Sequence, residues 1–423
     1  MPRLTTRLVI LGISLLTASS AWSQKLLIHM DLKQTDHLKA YGVAYWALDH
    51  GVNVEWLLNY RGGSFLLEQQ AEIENECRLR GVAFSIVGGG EMAQIYADIE
   101  AGNMEVVMLE KAPAIVIYTP LNKQVWDDAV TLALSYAEIP YKTVWDEEVL
   151  RGELEKYDWL HLHHEDFSGQ YGRFYASFSN TPWYQEEVAK NEDTAKKLGF
   201  AKVAQLKRAV ALAIKDYVAR GGFLFAMCSA TDTIDLTLAA QNTDICASIF
   251  DGDSPAPNAQ NELDYTQTLA FENFTLEMNP LVYEFSDIDF PPSTNPRVRS
   301  ADADYFSLFE FSAKYDPVPT MLTQDHVSIV NGFMGQTTGY KRTLIKKSVT
   351  ILGEVPNSPE VKYLHGNLGR GTFTFFGGHD PEDYQHMVYD PPTQLSLHKN
   401  SPGYRLILNN ILFPAAKKKK RKT

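Results

Sequence analysis

The chain has 423 residues and a formal net charge of −13, and 45% of its residues are hydrophobic and 12% aromatic. This composition can bury a large core, which excludes a disordered chain, and the length fits one large α/β domain with insertions or two domains. The negative charge argues against broad nucleic-acid binding, so no nucleic-acid partner is expected.

The first 23 residues have the pattern of a secretory signal peptide. Arg3 and Arg7 precede an apolar stretch at 8–16, and Ala21 and Ser23 form a small-residue cleavage site before Gln24. The apolar stretch is too short to span a bilayer, and no later stretch is long and apolar enough to do so. The sequence therefore predicts an exported protein of the periplasm, cell envelope or extracellular space, without a transmembrane segment.

Two further features bear on the partners and on the redox state. A basic run at 417–422 near the C-terminus is typical of a solvated tail, with contact to anionic sugar or lipid as the alternative. The three cysteines are Cys77, Cys228 and Cys246, and in an oxidising compartment an odd number leaves a thiol unpaired unless chains cross-link. A disulfide between Cys228 and Cys246 is possible and would block the thiol of Cys228.

Residues 24–110 alternate between short apolar runs and helical patterns, which predicts an N-terminal lobe of parallel βαβ units. The predicted strands are 25–30, 52–58 and 82–87, and the predicted helices are 35–50, 64–80 and 91–100.

The alternation restarts after residues 111–113 and predicts the main α/β core over 111–240 and 360–414. Its predicted strands are 114–118, 141–145, 159–162 and 223–227, followed by a hairpin of 362–365 with 372–376 and a closing helix at 403–412. Segment 241–359 breaks the rhythm and predicts an inserted β-rich subdomain or lid. The fold class expected is a doubly wound, mostly parallel α/β sheet with an N-terminal βαβ extension.

Cys228 follows the apolar run 223–227 and precedes a helical pattern. A nucleophile at a sharp strand-to-helix turn is lifted above the sheet edge, and the helix N-terminus favours a thiolate. The alternative is a buried structural cysteine, which is common at the end of a strand.

A second polar turn follows the strand at 372–376. His379 comes after two glycines, and Asp380 or Glu382 could fix the tautomer of its imidazole. Together with Cys228 these residues predict a catalytic set in which the thiolate attacks a carbonyl, His379 transfers the proton and Glu382 orients His379.

A third cluster follows the strand at 159–162. His161 and His163 share one face of that strand, and a site made of His161, His163, Glu165 and His379 could hold Zn²⁺ with water as the nucleophile. The alternative is a set of hydrogen-bonded polar residues at a strand end. No cofactor is expected under the cysteine hypothesis.

Three segments resemble the ThuA-like branch of the class I glutamine amidotransferase-like fold: 150–162 (LRGELEKYDWLHL), 218–224 (VARGGFL) and 368–382 (LGRGTFTFFGGHDPE). The resemblance implies a doubly wound fold with a cysteine at an elbow and a later histidine and glutamate. The chain departs from the amidotransferase pattern because Glu382 lies three residues after His379 and because Ala226 and Ala230 replace the elbow glycines. Members of the ThuA-like branch commonly lack the cysteine machinery.

Over nearly the whole mature chain, the sequence is similar to exported bacterial proteins often labelled asparagine synthetase B, on segments 36–42, 57–65, 158–167 and 400–410. The residues do not support that label. It requires a nucleophilic cysteine at position two, where this chain has Pro2, and a pyrophosphate loop of the form Ser-Gly-Gly-x-Asp-Ser, which the sequence lacks.

Three functions follow as hypotheses. The first is hydrolysis or transfer at an amide or ester carbonyl by Cys228, His379 and Glu382. The second is a non-catalytic envelope protein that binds a small molecule, sugar or peptide. The third is a zinc hydrolase. The candidate ligand contacts are the polar residues at the strand ends and two aromatic residues of the irregular loop 167–183, namely His163, His164, Glu165, Ser229, Tyr171 and Trp183.

Overall fold

The computed structural model describes residues 24–120, 127–290, 305–316, 327–331, 339–383 and 387–416. The predicted signal peptide (1–23) and the basic run (417–422) lie outside these ranges. Within them, no helix combines the length and the apolar character needed to cross a bilayer.

The N-terminal lobe is built on a five-stranded antiparallel sheet. Its elements are β1 (Lys25–Ile28), α1 (His37–Asp49), β2 (Val54–Leu58), β3 (Phe65–Glu68), α2 (Ala71–Arg80), β4 (Phe84–Val87), α3 (Gly89–Ala101) and β5 (Glu105–Leu109). The strand order is β4-β1-β3-β2-β5, and every neighbouring pair is antiparallel. The order of the first four strands is that of the split βαβ arrangement found in ferredoxin-like folds.

The predicted βαβ units are present in split form. The strands β1 and β2 run parallel to each other with β3 between them, and β3 and β4 run parallel with β1 between them. The structure differs from the prediction in that neighbouring strands of this sheet are antiparallel. Residues 65–68 form β3, whereas the sequence pattern predicts one helix over 64–80, and β5 is not predicted at all. A four-residue apolar run beside a helix cannot be separated from that helix by periodicity alone. The extra strand lies between β1 and β2, and because a short turn joins it to β2 the two run antiparallel.

The strands of the main sheet follow in the order that the sequence predicts, whereas α6 lies in the stretch 167–183 that is predicted to be irregular. The elements of this part are β6 (Ile115–Tyr118), α4 (Ala129–Tyr136), β7 (Lys142–Val144), α5 (Asp146–Leu150), β8 (Trp159–Leu162), α6 (Tyr175–Phe178), α7 (Pro182–Lys197), α8 (Val203–Arg220), β9 (Phe223–Met227) and α9 (Ala230–Ala239). The rest of the chain contributes α10 (Ser248–Asp251), β10 (Tyr305–Leu308), β11 (Ile329–Asn331), β12 (Tyr340–Lys341), β13 (Thr350–Glu354), β14 (Glu360–Leu368), β15 (Gly371–Phe376) and α11 (Pro402–Leu412).

Five strands of this sheet run parallel, in the order β7-β6-β8-β9-β15. This is the flavodoxin-like order, so the predicted doubly wound α/β sheet is confirmed. The predicted hairpin is formed by β14 and β15, and β13, β10 and β11 continue the sheet in antiparallel fashion beyond β14. The β-rich segment thus supplies strands to the main sheet.

The lobe and the main sheet share one hydrophobic core because α1 packs between them, against α4 and α11. The closest approach is at Gly42 in α1. A Cβ atom at this position would lie 1.8 Å from the carbonyl oxygen of Ala137, at the end of α4. The same carbonyl accepts a 2.9 Å hydrogen bond from Nη1 of Arg80 in α2. Only glycine fits here.

We expect Gly42→Ala to lower the thermal unfolding midpoint, because the added methyl group must push α1 away from α4. Overpacking of this kind costs about 1–3 kcal/mol. Gly90→Ala is the matched control, since Gly90 is also helical but has no neighbouring atom within 4 Å of a built Cβ. The control should be neutral or stabilising by up to about 1 kcal/mol. Thermal unfolding followed by circular dichroism tests both variants, and equal midpoints would show that the α1–α4 contact is not tight.

Candidate functional site

The candidate site lies at the carboxyl edge of the parallel strands. The chain leaves β8, β9 and β15 at this edge and continues into His163, Cys228 and His379. In sheets of this topology the ligand crevice lies outside the carboxyl ends, where the strand order reverses, and here that point is between β6 and β8. The sequence-based prediction that residues 163, 228 and 379 share this edge is confirmed.

Three histidines converge at this edge. One possible ligand atom from each of His163, His164 and His379 lies within 4.8 Å of the other two. The ring centroids of His163 and His379 are 4.4 Å apart, and those of His164 and His379 are 6.2 Å apart with nearly parallel planes. The side chains are buried, with exposed fractions of 1%, 9% and 6% for His163, His164 and His379. Electrostatic interactions are therefore stronger here than in water.

Local backbone geometry brings these rings together. The strand β8 ends at Leu162, so the alternation of side chains stops there and two consecutive histidines both reach His379. Gly378 has a φ of 111°, which permits a sharp turn after β15. A 3.1 Å hydrogen bond from the amide of Cys228 to the carbonyl of Gly378 ties the ends of β9 and β15 together.

An aspartate that the sequence-based predictions missed lies behind the histidines. One side-chain oxygen of Asp128, Oδ2, is 3.0 Å from Nε2 of His161 and 3.6 Å from Nδ1 of His163. Burial opposes ionisation of Asp128, but the two imidazoles outweigh it and hold the pKa of this carboxyl well below its usual range. The sequence pattern predicts a helix over 125–137, which places Asp128 inside it, whereas α4 begins at Ala129 and Asp128 is its N-cap.

His161 and Glu165, both predicted as alternative metal ligands, have other partners. Nδ1 of His161 donates to the carbonyl of Phe225 at 3.0 Å, and Nε2 faces Asp128. The carboxylate of Glu165 accepts a 2.9 Å hydrogen bond from the amide of His163. Burial, reinforced by the nearby charge of Asp128, raises the pKa of Glu165 to about 7. The three-histidine group thus contains His164 in place of these two.

The backbone at Cys228 has the form of an elbow, but the surroundings of its thiol do not favour a thiolate. Its φ is 49°, a strained value for a residue with a side chain, and α9 follows directly. Burial raises the pKa of the thiol to about 12, and the carboxylates of Asp232 and Asp289 act in the same direction. Ser229, the N-cap of α9, is fully buried beside it. A thiol with this pKa is protonated at neutral pH.

All three cysteines are free and buried. The sulfur of Cys246 lies 3.7 Å from the carbonyl oxygen of Gly169. The structure thus does not contain the disulfide between Cys228 and Cys246 that the sequence allows.

The carboxylates that follow His379 hold the turn in place. Asp380 is buried, and its Oδ2 accepts a 2.7 Å hydrogen bond from the hydroxyl of Tyr404 in α11, while Oδ1 accepts from the amide of Glu382 at 2.8 Å. The side chain of Glu382 lies 3.0 Å from Nδ1 of His398. The predicted pairing of Glu382 with His379 stays a prediction, since the contact seen for this carboxylate is with another histidine.

Tyr171 and Trp183, predicted as ligand contacts, pack against neighbouring aromatic side chains. The ring of Tyr171 lies 6.2 Å from that of Tyr184, and the ring of Trp183 lies 5.8 Å from that of Phe174. Tyr171 is buried, and burial raises the pKa of its hydroxyl. The contacts seen for these two residues are those of a packed aromatic loop, and their role in ligand binding stays a prediction.

No family model and no curated protein matches the sequence. The chain is similar to two solved structures, cytoplasmic protein STM3548 from Salmonella typhimurium and cytoplasmic protein STM1381 from Salmonella typhimurium LT2. Each is 10% identical, and each match covers 72% of this chain and 100% of the other chain. The TM-scores are 0.35 and 0.33, and likenesses at this level support no conclusion about fold or function.

Proposed function

We propose that the protein is a metal-dependent hydrolase that acts on an amide or ester carbonyl, with Zn²⁺ held by His163, His164 and His379. The observation that carries the proposal is the convergence of three ligand nitrogens within 4.8 Å of one another. Neutral imidazole is a good ligand for Zn²⁺, and three protein ligands leave a fourth position for water, as in catalytic rather than structural zinc sites.

The spacing fits this metal. Zn–N bonds of about 2.0 Å in a tetrahedral site separate the ligand nitrogens by roughly 3.3 Å. Nitrogens that lie within 4.8 Å of one another can reach that separation by small rotations of the three rings. Burial of the cluster strengthens the electrostatic effect of the cation on a water or substrate bound to it.

Zn²⁺ at such a site lowers the pKa of a bound water to about 7 and so supplies a nucleophile at neutral pH. In the proposed hydrolysis, the oxygen of such a water would bond to the carbonyl carbon, the bond from this carbon to the leaving nitrogen or oxygen would break, and the leaving group would take up a proton from the water. The proposed substrates are those that the sequence analysis suggests as ligands, namely a small molecule, sugar or peptide. An exported protein with a ThuA-like core, as the sequence predicts, is compatible with this chemistry because that branch commonly lacks the cysteine machinery.

We expect the purified protein to contain about one zinc ion per chain, and His164→Ala and His379→Ala to lose it, because each substitution removes one of three ligands. His50→Ala is the matched control, since His50 is an exposed histidine at the C-cap position of α1. Elemental analysis measures the zinc content. A panel of p-nitrophenyl esters and amino-acid p-nitroanilides, assayed before and after chelation and zinc readdition, measures the hydrolysis.

Two results would contradict the proposal. The first is a wild-type protein that stays free of metal after incubation with Zn²⁺ and desalting. The second is hydrolysis that survives chelation. Zinc binding without hydrolysis of any substrate in the panel would instead favour the non-catalytic binding protein.

The cysteine mechanism is a second candidate, favoured by the elbow geometry of Cys228 and by the hydrogen bond between its amide and Gly378. The pKa of the thiol, raised to about 12, speaks against it.

We expect Cys228→Ser to retain hydrolytic activity. We also expect iodoacetamide to label Cys228 at pH 7 as slowly as Cys77, a buried thiol in the N-terminal lobe whose pKa is also raised to about 12. Mass spectrometry of the native protein gives both labelling rates. Much faster labelling of Cys228, together with loss of activity in the serine variant, would favour the cysteine mechanism over the metal site.

A further inference from the structure

We infer that Asp128 is the positioning residue of the metal site, because its carboxylate orients His163 so that Nε2 of that ring faces the metal. The inference rests on the proposed function and adds to it a residue outside the three ligands. Two groups of candidate ligands at this edge share His163, namely His163–His164–His379 and Asp128–His161–His163. The inference gives the first group the role of binding the metal and the second the role of orienting His163.

The two oxygens of Asp128 have different roles. Oδ1 accepts a 2.9 Å hydrogen bond from the amide of Thr131 and so caps the first turn of α4. Oδ2 faces the imidazoles, 3.0 Å from Nε2 of His161 and 3.6 Å from Nδ1 of His163. The helix cap fixes the carboxylate, so the orientation of Oδ2 toward the rings is set by the backbone of α4.

His161 is held on both sides and acts as a support. The carbonyl oxygen of Phe225 can only accept, so Nδ1 of His161 carries a proton and donates it at 3.0 Å. Nε2 of the same ring faces Oδ2 of Asp128. A ring whose two nitrogens are engaged in this way keeps the carboxylate in place, and a metal at this position would have to break the contact between His161 and Asp128.

His163 is the link between Asp128 and the metal. Its Nδ1 lies 3.6 Å from Oδ2 of Asp128, a distance that a small rotation of the ring shortens to a hydrogen bond, and Nε2 is then left for the metal. Histidines that bind metals commonly donate their other ring N–H to a carboxylate, which fixes the tautomer and raises the basicity of the ligand. Coordination at Nε2 makes the Nδ1 proton more acidic, so metal binding strengthens the contact with Asp128.

The test is zinc affinity in Asp128→Asn, measured by competition with a chromophoric chelator. Asparagine caps a helix as well as aspartate does, so its Oδ1 keeps the bond to Thr131. The NH2 group that replaces Oδ2 can donate to Nε2 of His161 only after that nitrogen has lost its proton, and it cannot accept a hydrogen bond from Nδ1 of His163. We expect the Kd for Zn²⁺ to rise 10- to 100-fold while the thermal unfolding midpoint of the zinc-free protein changes little.

Two further variants complete the test. Asp128→Ser also caps a helix but has no atom that reaches the imidazoles, and it should weaken zinc binding to a similar extent. Asp264→Asn is the control for the loss of one carboxylate, because Asp264 makes a similar bond to the amide of Thr266 in a distant turn. It should leave the zinc affinity unchanged.

The outcomes distinguish this inference from the proposed function. If the wild-type protein binds no zinc, both fail. If it binds zinc and the affinity is the same in Asp128→Asn, only the inference fails, and Asp128 is a helix cap without a role at the metal. A wild-type stoichiometry of two that falls to one in Asp128→Asn would also overturn it, because Asp128 would then be a ligand of a second ion.

Discussion

Parallel pairing of β8, β9 and β15 is the constraint on which the candidate site depends. The register places Leu162 beside Ala226, and Met227 beside Phe376, so the three chains leave the sheet at nearly the same level. The hydrogen bond from the amide of Cys228 to the carbonyl of Gly378 extends the ladder beyond the last residues of the two strands. Histidines that are more than 200 residues apart in sequence thereby become neighbours, and no long side chain has to span the gap.

The electrostatics of the edge support the proposed metal site over the cysteine mechanism. The thiol of Cys228 is buried, and both its burial and the nearby carboxylates of Asp232 and Asp289 oppose its ionisation. The carboxyl of Asp128, by contrast, faces the imidazoles of His161 and His163, which hold its pKa low. A buried polar cluster is costly unless its groups are paired, and a divalent cation offsets that cost for neutral histidines. The strained backbone at Cys228 alone does not make a nucleophile.

The sequence predicts the part of the fold that is regular and buried on both faces. The limits of β8 and β9 agree with the prediction to the residue, because continuous apolar runs such as 223–227 end where polar residues begin. The shared edge of His163 and His379 follows from the parallel order. The lobe is less predictable, because β3 has four residues and its pairing with β1 depends on contacts across the sheet.

Asp128 was not predictable for a related reason. Its importance depends on where α4 begins, and helix ends are the least certain feature of a periodic pattern. The place of His164 in the cluster also needs the structure, because strand alternation assigns it to the face opposite His163, and only the end of β8 at Leu162 frees it from that rule.

The helix α4 contacts the N-terminal lobe at one end and the candidate site at the other. Its first turn is capped by Asp128, and its last carbonyl, that of Ala137, lies against Gly42 in the N-terminal lobe. The two ends are about 12 Å apart along a rigid helical axis. A shift of the lobe against α4 would therefore also shift the carboxylate that faces the imidazoles. Truncating the lobe is thus expected to disturb the position of the Asp128 carboxylate as well as the stability of the fold.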